Sequence, residues 1–285
     1  MVEQKKYKCG LIPFEQYHGR ANIGSSRIRG HWLVKYWDDA EIYKLGQKYD
    51  VMIYQKVYWW DHAEAFDGIK ILDICDADWL HWSYRTIEMI NHCDAVTTST
   101  EAIAIALRQF TDKPVLCIPD RLDLEEHREK KVHEGRAKSV VWFGYHENAD
   151  VLKSTYLFLK KFNLDLIIVS NKEVGVPSIY EDSIKVFNYK WKPETAHSDI
   201  LKGDIVLNPS QSKGKWQFKS NNKTLTAWGL GLPVASNAEE LENLLEGAAR
   251  KKEVIKRTKE IKEKWDVKIS IKEFNNLINE IVSKK

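Results

Sequence analysis

The chain has 285 residues, 43% of them apolar, with 44 basic and 41 acidic side chains and a formal net charge of +3. That length suits two domains of modest size, the apolar share excludes a disordered chain, and the balanced charge leaves nucleic-acid binding open without announcing it. The opening MVEQKKYKCGLIPF has no apolar run fit for a signal peptide, and nothing approaches a membrane span.

The expectation is therefore a cytoplasmic protein. Cys9, Cys75, Cys93 and Cys117 show no C-x-x-C spacing and read as free thiols. Tryptophan, at 11 residues, is abundant. Its ring suits cores and interfaces, and it also stacks on sugars and bases.

In chain order, KCGLIPF (8–14) reads as a strand. Residues 24–46 read as a helix with Leu33, Trp37 and Ala40 on one face. Strands follow at 49–56, 70–75, 94–99 and 114–120. TEAIAIALRQF is helical between the last two, with Thr100 as its N-cap. Strands that are apolar nearly throughout, alternating with helices, predict a parallel sheet covered on both faces.

The charged stretch RLDLEEHREKKVHEGRA interrupts this rhythm and reads as a boundary. Strands then resume at 139–145, 164–171, 183–189, 203–210 and 232–237. The segment 239–282 is helical, with Val254, Thr258, Ile261 and Trp265 in helical register. The predicted division is 1–122, a linker 123–137, and 138–285 with its terminal helices. Both parts are α/β. Open α/β sheets bind ligands at the carboxyl ends of their strands and at helix N-termini, so function is sought in those loops.

Five loops carry suitable chemistry. In GSSRIRG, Gly24 permits close backbone approach, and Ser25 and Ser26 are able to cap a helix. Arg27 and Arg29 sit in its first turns, where a cation calls for a nearby anion: a bound phosphate or a local carboxylate. LDICDADWLHW places Asp76 and Asp78 just past a strand. There a carboxylate deprotonates or orients an acceptor hydroxyl, or Asp-x-Asp holds a metal. Trp79 is either core or a stacking surface. QKVYWWDH sets Trp59 and Trp60 beside a lysine, as a ligand platform or as a loop anchor. GYHENAD brings Gly144 and His146 to a strand end, His146 as a ligand contact or a surface residue. KSNNKTLTAWGLGLPVAS predicts a helix capped by Ser220 or Asn221 and flanked by Lys219 and Lys223. Its first amides and two ammonium groups suit a diphosphate, and a capped helix with two solvated lysines is the plainer reading.

The order of these segments resembles the family-4-like ("group 1") glycosyltransferases of GT-B fold. D-I-V-L-N-P, K-S-N-N-K and G-L-G-L-P-V-A-S follow the donor-domain pattern of strand, helix, small-residue turn and strand. DAVTTSTEAIAIAL, VLCIPDRLD and VVWFGY resemble the late first-domain strand and helix, the approach to the linker, and the strand that opens the second domain. The resemblance spans residues 8 to 237. It implies two Rossmann-like domains facing each other across a cleft, the first binding the acceptor and the second a UDP- or GDP-sugar.

The implied donor residues are Gly24, Ser26, Arg27, Gly144, His146, Lys219, Ser220, Asn221, Asn222, Lys223 and Thr226. Trp59, Trp60 and Trp79 fall to the acceptor, with Asp76 and Asp78 as catalytic carboxylates and no metal. The implied reaction is sugar transfer to a hydroxyl of a glycan or lipid-linked saccharide, with retention favoured over inversion. A hydroxylated DNA base, as in phage glucosyltransferases, and a non-catalytic module of the same fold are the alternatives. The sequence departs from the family's Glu-x7-Glu: counting back from Gly231, the two positions fall on Phe218 and Thr226.

Overall fold

In this computed structural model, residues 6–209 and 214–284 are described. The chain divides into two compact units. One comprises 1–123, 217–220 and 266–285, and the other 124–216 and 221–265.

The first unit is built on a six-stranded parallel sheet. Its strands are β1 (Cys9–Pro13), β2 (Ala40–Ile42), β3 (Val51–Gln55), β4 (Ile69–Ile74), β5 (Ala95–Thr98) and β6 (Val115–Cys117), in the order β2-β1-β3-β4-β5-β6. All residues of β1, β3 and β5 are buried, as expected of strands covered on both faces. The Glu101–Leu107 helix starts where Thr100 accepts the Ile103 N–H, a cap worth about 1 kcal/mol.

The second unit repeats the plan with β7 (Ser139–Phe143), β8 (Asp165–Ser170), β9 (Val186–Lys190), β10 (Ile205–Leu207) and β11 (Val234–Ala235), all parallel, in the order β11-β10-β7-β8-β9. Trp142 at its centre is fully buried, amid Leu152, Leu166 and Ile168.

Two expectations fail. The helix expected over 24–46 ends at Tyr36, after a π-helical turn at Arg27–His31, and Ala40 begins the edge strand β2. The last helix, Val267–Lys284, belongs to the first unit and not to the second. It buries Val267, Ile271, Phe274, Leu277, Ile278 and Ile281, a three-and-four spacing along one face. Phe274 lies 5.7 Å from the Trp37 ring. Arg121 donates to Ser270 Oγ at 2.8 Å and to Glu273, and Leu122 bridges to Asp266.

Register sets up the chemistry. Gln55, at the end of β3, is opposite Asp73 in β4, and the Lys56 N–H donates to the Asp73 carbonyl at 2.9 Å. The loops after β3 and β4 therefore emerge side by side.

Candidate functional site

At the carboxyl ends of β3 and β4, Asp76 and Asp78 come together with Lys56, Tyr58 and Lys219, all within the first unit. Lys56 Nζ donates to Asp76 Oδ2 at 2.7 Å and stands 3.7 Å from Asp78 Oδ1. Lys219 Nζ donates to the other Asp76 oxygen, Oδ1, at 2.8 Å. The Tyr58 hydroxyl donates to Asp78 Oδ2 at 2.7 Å. Two cations thus balance two carboxylates. Lys56 adopts φ 54°, a left-handed conformation that costs a residue other than glycine roughly 1–2 kcal/mol. That turn aims its ammonium group back over the strand ends.

The two aspartates diverge electrostatically. Burial alone would raise the Asp76 pKa, but Lys56 and Lys219 outweigh it and hold the carboxyl below its usual range. Burial dominates at Asp78 and lifts its pKa, against the opposing pull of Lys56 and Tyr58. Asp76 is therefore a fixed, weakly basic carboxylate with both oxygens engaged, better suited to orienting a hydroxyl than to taking its proton. Among the described residues, no three His, Cys, Asp or Glu side chains are grouped to hold a metal ion.

Below this cluster lies a second, buried one. Arg29 donates to both Asp73 oxygens at 2.7 and 2.6 Å, to the Asp120 carboxylate at 3.0 Å and to the Ile118 carbonyl at 2.8 Å. Of the two anion sources open to the early arginines, Arg29 has the local one. Arg27 is half-buried and packs its guanidinium 5.9 Å from the Trp32 ring.

Gly24 heads the helical stretch, and no heavy atom would lie within 4 Å of a Cβ added there. Ser26 does not cap that helix. It is buried, donates to Gln55 Oε1 at 3.2 Å and accepts the Glu15 N–H. Trp79 is core, edge-on to Phe218 at 5.2 Å, and offers no open face for a ligand. Trp59 and Trp60 are half-buried against the same core, and Trp59 already stacks on His62 at 4.3 Å.

In the second unit, β7 ends at Phe143, and Gly144 follows with φ 153°. A Cβ on Gly144 would stand 2.7 Å from Lys223 Nζ. The missing side chain is what lets that ammonium group lie against the backbone and 4.5 Å from the Trp142 ring centroid, a cation–π contact. Lys223 is in the first turn of the Asn222–Gly229 helix. Asn208, after β10, donates to Thr224 Oγ1 at 3.1 Å and ties that helix start to the strand end.

Asn221 occupies the N-cap position, but its side chain makes no capping bond, and Ser220 precedes it. Asn222 and Thr226 are half-buried on the helix. His146 donates its backbone N–H to Asn171 Oδ1 at 2.7 Å and keeps an exposed ring.

Lys219 bonds Asp76 within the first unit. Lys219 and Phe218 precede the helix and group with the first unit, whereas Lys223 and Thr226 lie in the second. Phe218 and Thr226 thus do not share a helix, and the eight-residue count between them does not measure helical turns. Lys56 and Tyr58 escaped the sequence reading as site residues. Their signal was their place directly after a buried strand, the rule that had singled out Asp76.

No protein-family model matches the sequence, and neither does any curated protein. Solved structures do match in shape. HepE of Anabaena, in complex with UDP and glucose, aligns at a TM-score of 0.64 with 10% identity, over 98% of this chain and 100% of that one. AviGT4, a glycosyltransferase involved in avilamycin A biosynthesis, aligns at 0.56 with 12% identity, over 98% and 99%. The UDP-forming α,α-trehalose-phosphate synthase of Burkholderia vietnamiensis aligns at 0.51 with 8% identity, over 82% and 73%. The chain has the GT-B fold. At such identities the likeness is one of architecture. Among the described residues, no helix is long and apolar enough to cross a membrane.

Proposed function

We propose that the protein is a glycosyltransferase that takes a sugar from a nucleoside-diphosphate donor, a UDP-sugar before a GDP-sugar, and transfers it to an acceptor hydroxyl of a glycan or lipid-linked saccharide. The observation that carries this reading is the start of the Asn222–Gly229 helix, where Lys223 lies against the bare backbone of Gly144. An ammonium group and the N–H groups of a first helical turn are complementary to a diphosphate. Two GT-B structures aligned with this chain were solved with UDP-glucose or with UDP and glucose bound, which supports UDP as the nucleotide.

Lys223 and the amides at 222–224 neutralise charge on the leaving diphosphate, the main source of rate in such a transfer. Gly144 keeps the space for that ammonium group, and His146 and Thr226 contact the donor nearby. In the first unit Asp76 orients the acceptor hydroxyl and Asp78, through Tyr58 and Lys56, fixes its surroundings. Transfer proceeds with retention: a carboxylate held below its usual pKa is a poor general base, and retention does not require one.

The test is mass spectrometry of reactions offered UDP- and GDP-sugars with a panel of saccharide acceptors. A new product one glycosyl unit heavier is expected with a UDP-sugar. A chain that neither binds UDP nor consumes any UDP- or GDP-sugar would overturn the assignment. Turnover is expected to survive excess EDTA, because the Lys56 ammonium group already sits against Asp76 and Asp78. Activity abolished by EDTA and restored by Mn²⁺ or Mg²⁺ would assign that pair to a metal instead.

A further inference from the structure

The Trp79–His92 helix of the first unit is broken at Trp82, which has φ −131° and ψ 50°. The break turns a whole segment away from the core: residues 80–85, Leu-His-Trp-Ser-Tyr-Arg, are all exposed. Leu80 is 53% exposed, Trp82 49% and Tyr84 72%, and Tyr17, in the short Phe14–His18 helix after β1, is 41% exposed. Soluble surfaces carry single apolar side chains freely, but three within five residues on one projecting turn mark an interaction surface.

Charge says which kind. The segments 16–22 and 79–87 contain Arg20, Arg85 and two histidines, and no aspartate or glutamate. They are neighbours in space: Lys56 Nζ lies 5.2 Å from the Phe14 ring, itself 4.3 Å from the His18 ring, and 3.7 Å from Asp78 Oδ1, which directly precedes the Trp79–His92 helix. The turn thus has the composition of a membrane-interface element: Trp and Tyr rings that favour the headgroup level, one aliphatic side chain to insert, and arginines that face anionic headgroups.

We propose that this turn docks the protein on an anionic lipid surface. Leu80, Trp82 and Tyr84 enter the headgroup layer, and Arg20 and Arg85 pair with lipid phosphates. The turn begins two residues after Asp78, so a lipid-anchored acceptor would meet the half-buried Asp76 beside the same surface. That last step rests on the proposed function, whereas adsorption to lipid does not.

The experiment is co-sedimentation of the full chain with phosphatidylcholine vesicles and with vesicles of phosphatidylcholine and phosphatidylglycerol. Binding to the anionic vesicles is expected, at least tenfold weaker on the neutral ones, and weakened again by 0.5 M NaCl. The triple variant Leu80→Ser, Trp82→Ser, Tyr84→Ser should lose at least tenfold of it while keeping the parent's circular dichroism, since all three side chains lie outside the core. Arg20→Gln with Arg85→Gln should lose the preference for anionic lipid but retain weak binding. Wild-type protein that stays in the supernatant, or a triple variant that binds as well as its parent, would overturn the proposal. Self-association that the triple variant abolishes, with no vesicle binding, would assign the turn to a second copy of the chain. None of these readouts depends on catalysis, so a failed vesicle experiment leaves the donor assignment to be judged by its own test.

Discussion

The loops after β3 and β4 and the loop after β7 all leave the carboxyl ends of parallel sheets, yet they are furnished in different ways. The first is filled with side chains: Lys56, Lys219 and Tyr58 satisfy Asp76 and Asp78, and beneath them Arg29 joins Asp73 and Asp120. The second is shaped by a missing side chain: Gly144 lets Lys223 lie against the backbone and over the Trp142 ring. A charge-balanced cluster has no net attraction for a phosphate and offers directional hydrogen bonds, which suits a neutral hydroxyl. A cation beside bare backbone and a helix start attracts an anion. Under the proposed function, this difference suits the first loops to the acceptor and the second to the donor.

The largest effect should come from the buried floor of the filled site. Arg29→Met leaves Asp73 and Asp120 buried without their cation, and unfolding in urea should show a loss of about 3–5 kcal/mol. A loss below about 1 kcal/mol would show that the floor tolerates rearrangement and does not hold the cluster above it.

The two lysines distinguish the sites directly. Lys223→Ala should weaken UDP by about 10- to 100-fold, the range of a lost charge-assisted contact, while leaving uridine nearly unchanged. Lys219→Ala should change UDP affinity by less than about threefold, because a surface ion pair with Asp76 is what it gives up. Calorimetry with both ligands decides this, and equal losses for the two variants would erase the contrast.

Gly144→Ala is a finer probe. The added methyl pushes on the far end of Lys223 and strains the backbone at φ 153°, so the fold should persist with some loss of stability while UDP affinity drops by about threefold to tenfold. Unchanged affinity would mean that the close approach of Lys223 to the backbone is not part of the donor site.

The smallest effect is in pH dependence. Asp76, its folded pKa depressed, contributes stability above its unfolded pKa of about 3.9, and loses it as the pH falls through the folded value. Asp78, its pKa raised, does the reverse, and its contribution is lost as the pH rises through its folded value. Asp76→Asn should therefore flatten the acid-side decline below about pH 4, and Asp78→Asn should not. Urea denaturation at stepped pH compares them, and a steeper decline in Asp76→Asn would reverse the assignment of the two carboxylates.

Much of the fold was legible because a strand covered on both faces must be apolar nearly throughout, and β1, β3, β4, β7 and β8 are. β2 was not, since Ala40–Ile42 is a half-buried edge of three residues without such a run. Periodicity in 267–284 disclosed an apolar face but could not name what covers it, and it took the fold to pair Phe274 with Trp37. At the site, Asp76 and Asp78 were legible from their place after a strand. Lys56 was harder: a left-handed turn is signalled by Gly, Asn or Asp, and here a lysine takes it. In sequence Lys219 and Lys223 read as flanking one helix start; Lys223 lies in the first turn of the helix that begins at Asn222, and Lys219, three residues before Asn222, bonds Asp76.

The return of the Val267–Lys284 helix to the first unit bears on how the chain is made. As it leaves the ribosome, the six-stranded sheet emerges first, and the helix that covers Trp37 and Leu122 emerges only after the whole of the second unit. The second unit is in effect an insertion, able to fold while its host still lacks a wall. During that interval the nascent first unit holds an uncovered apolar face, and ribosome-bound chains stalled before residue 266 should recruit chaperones and resist compaction in a way that chains stalled beyond residue 284 do not.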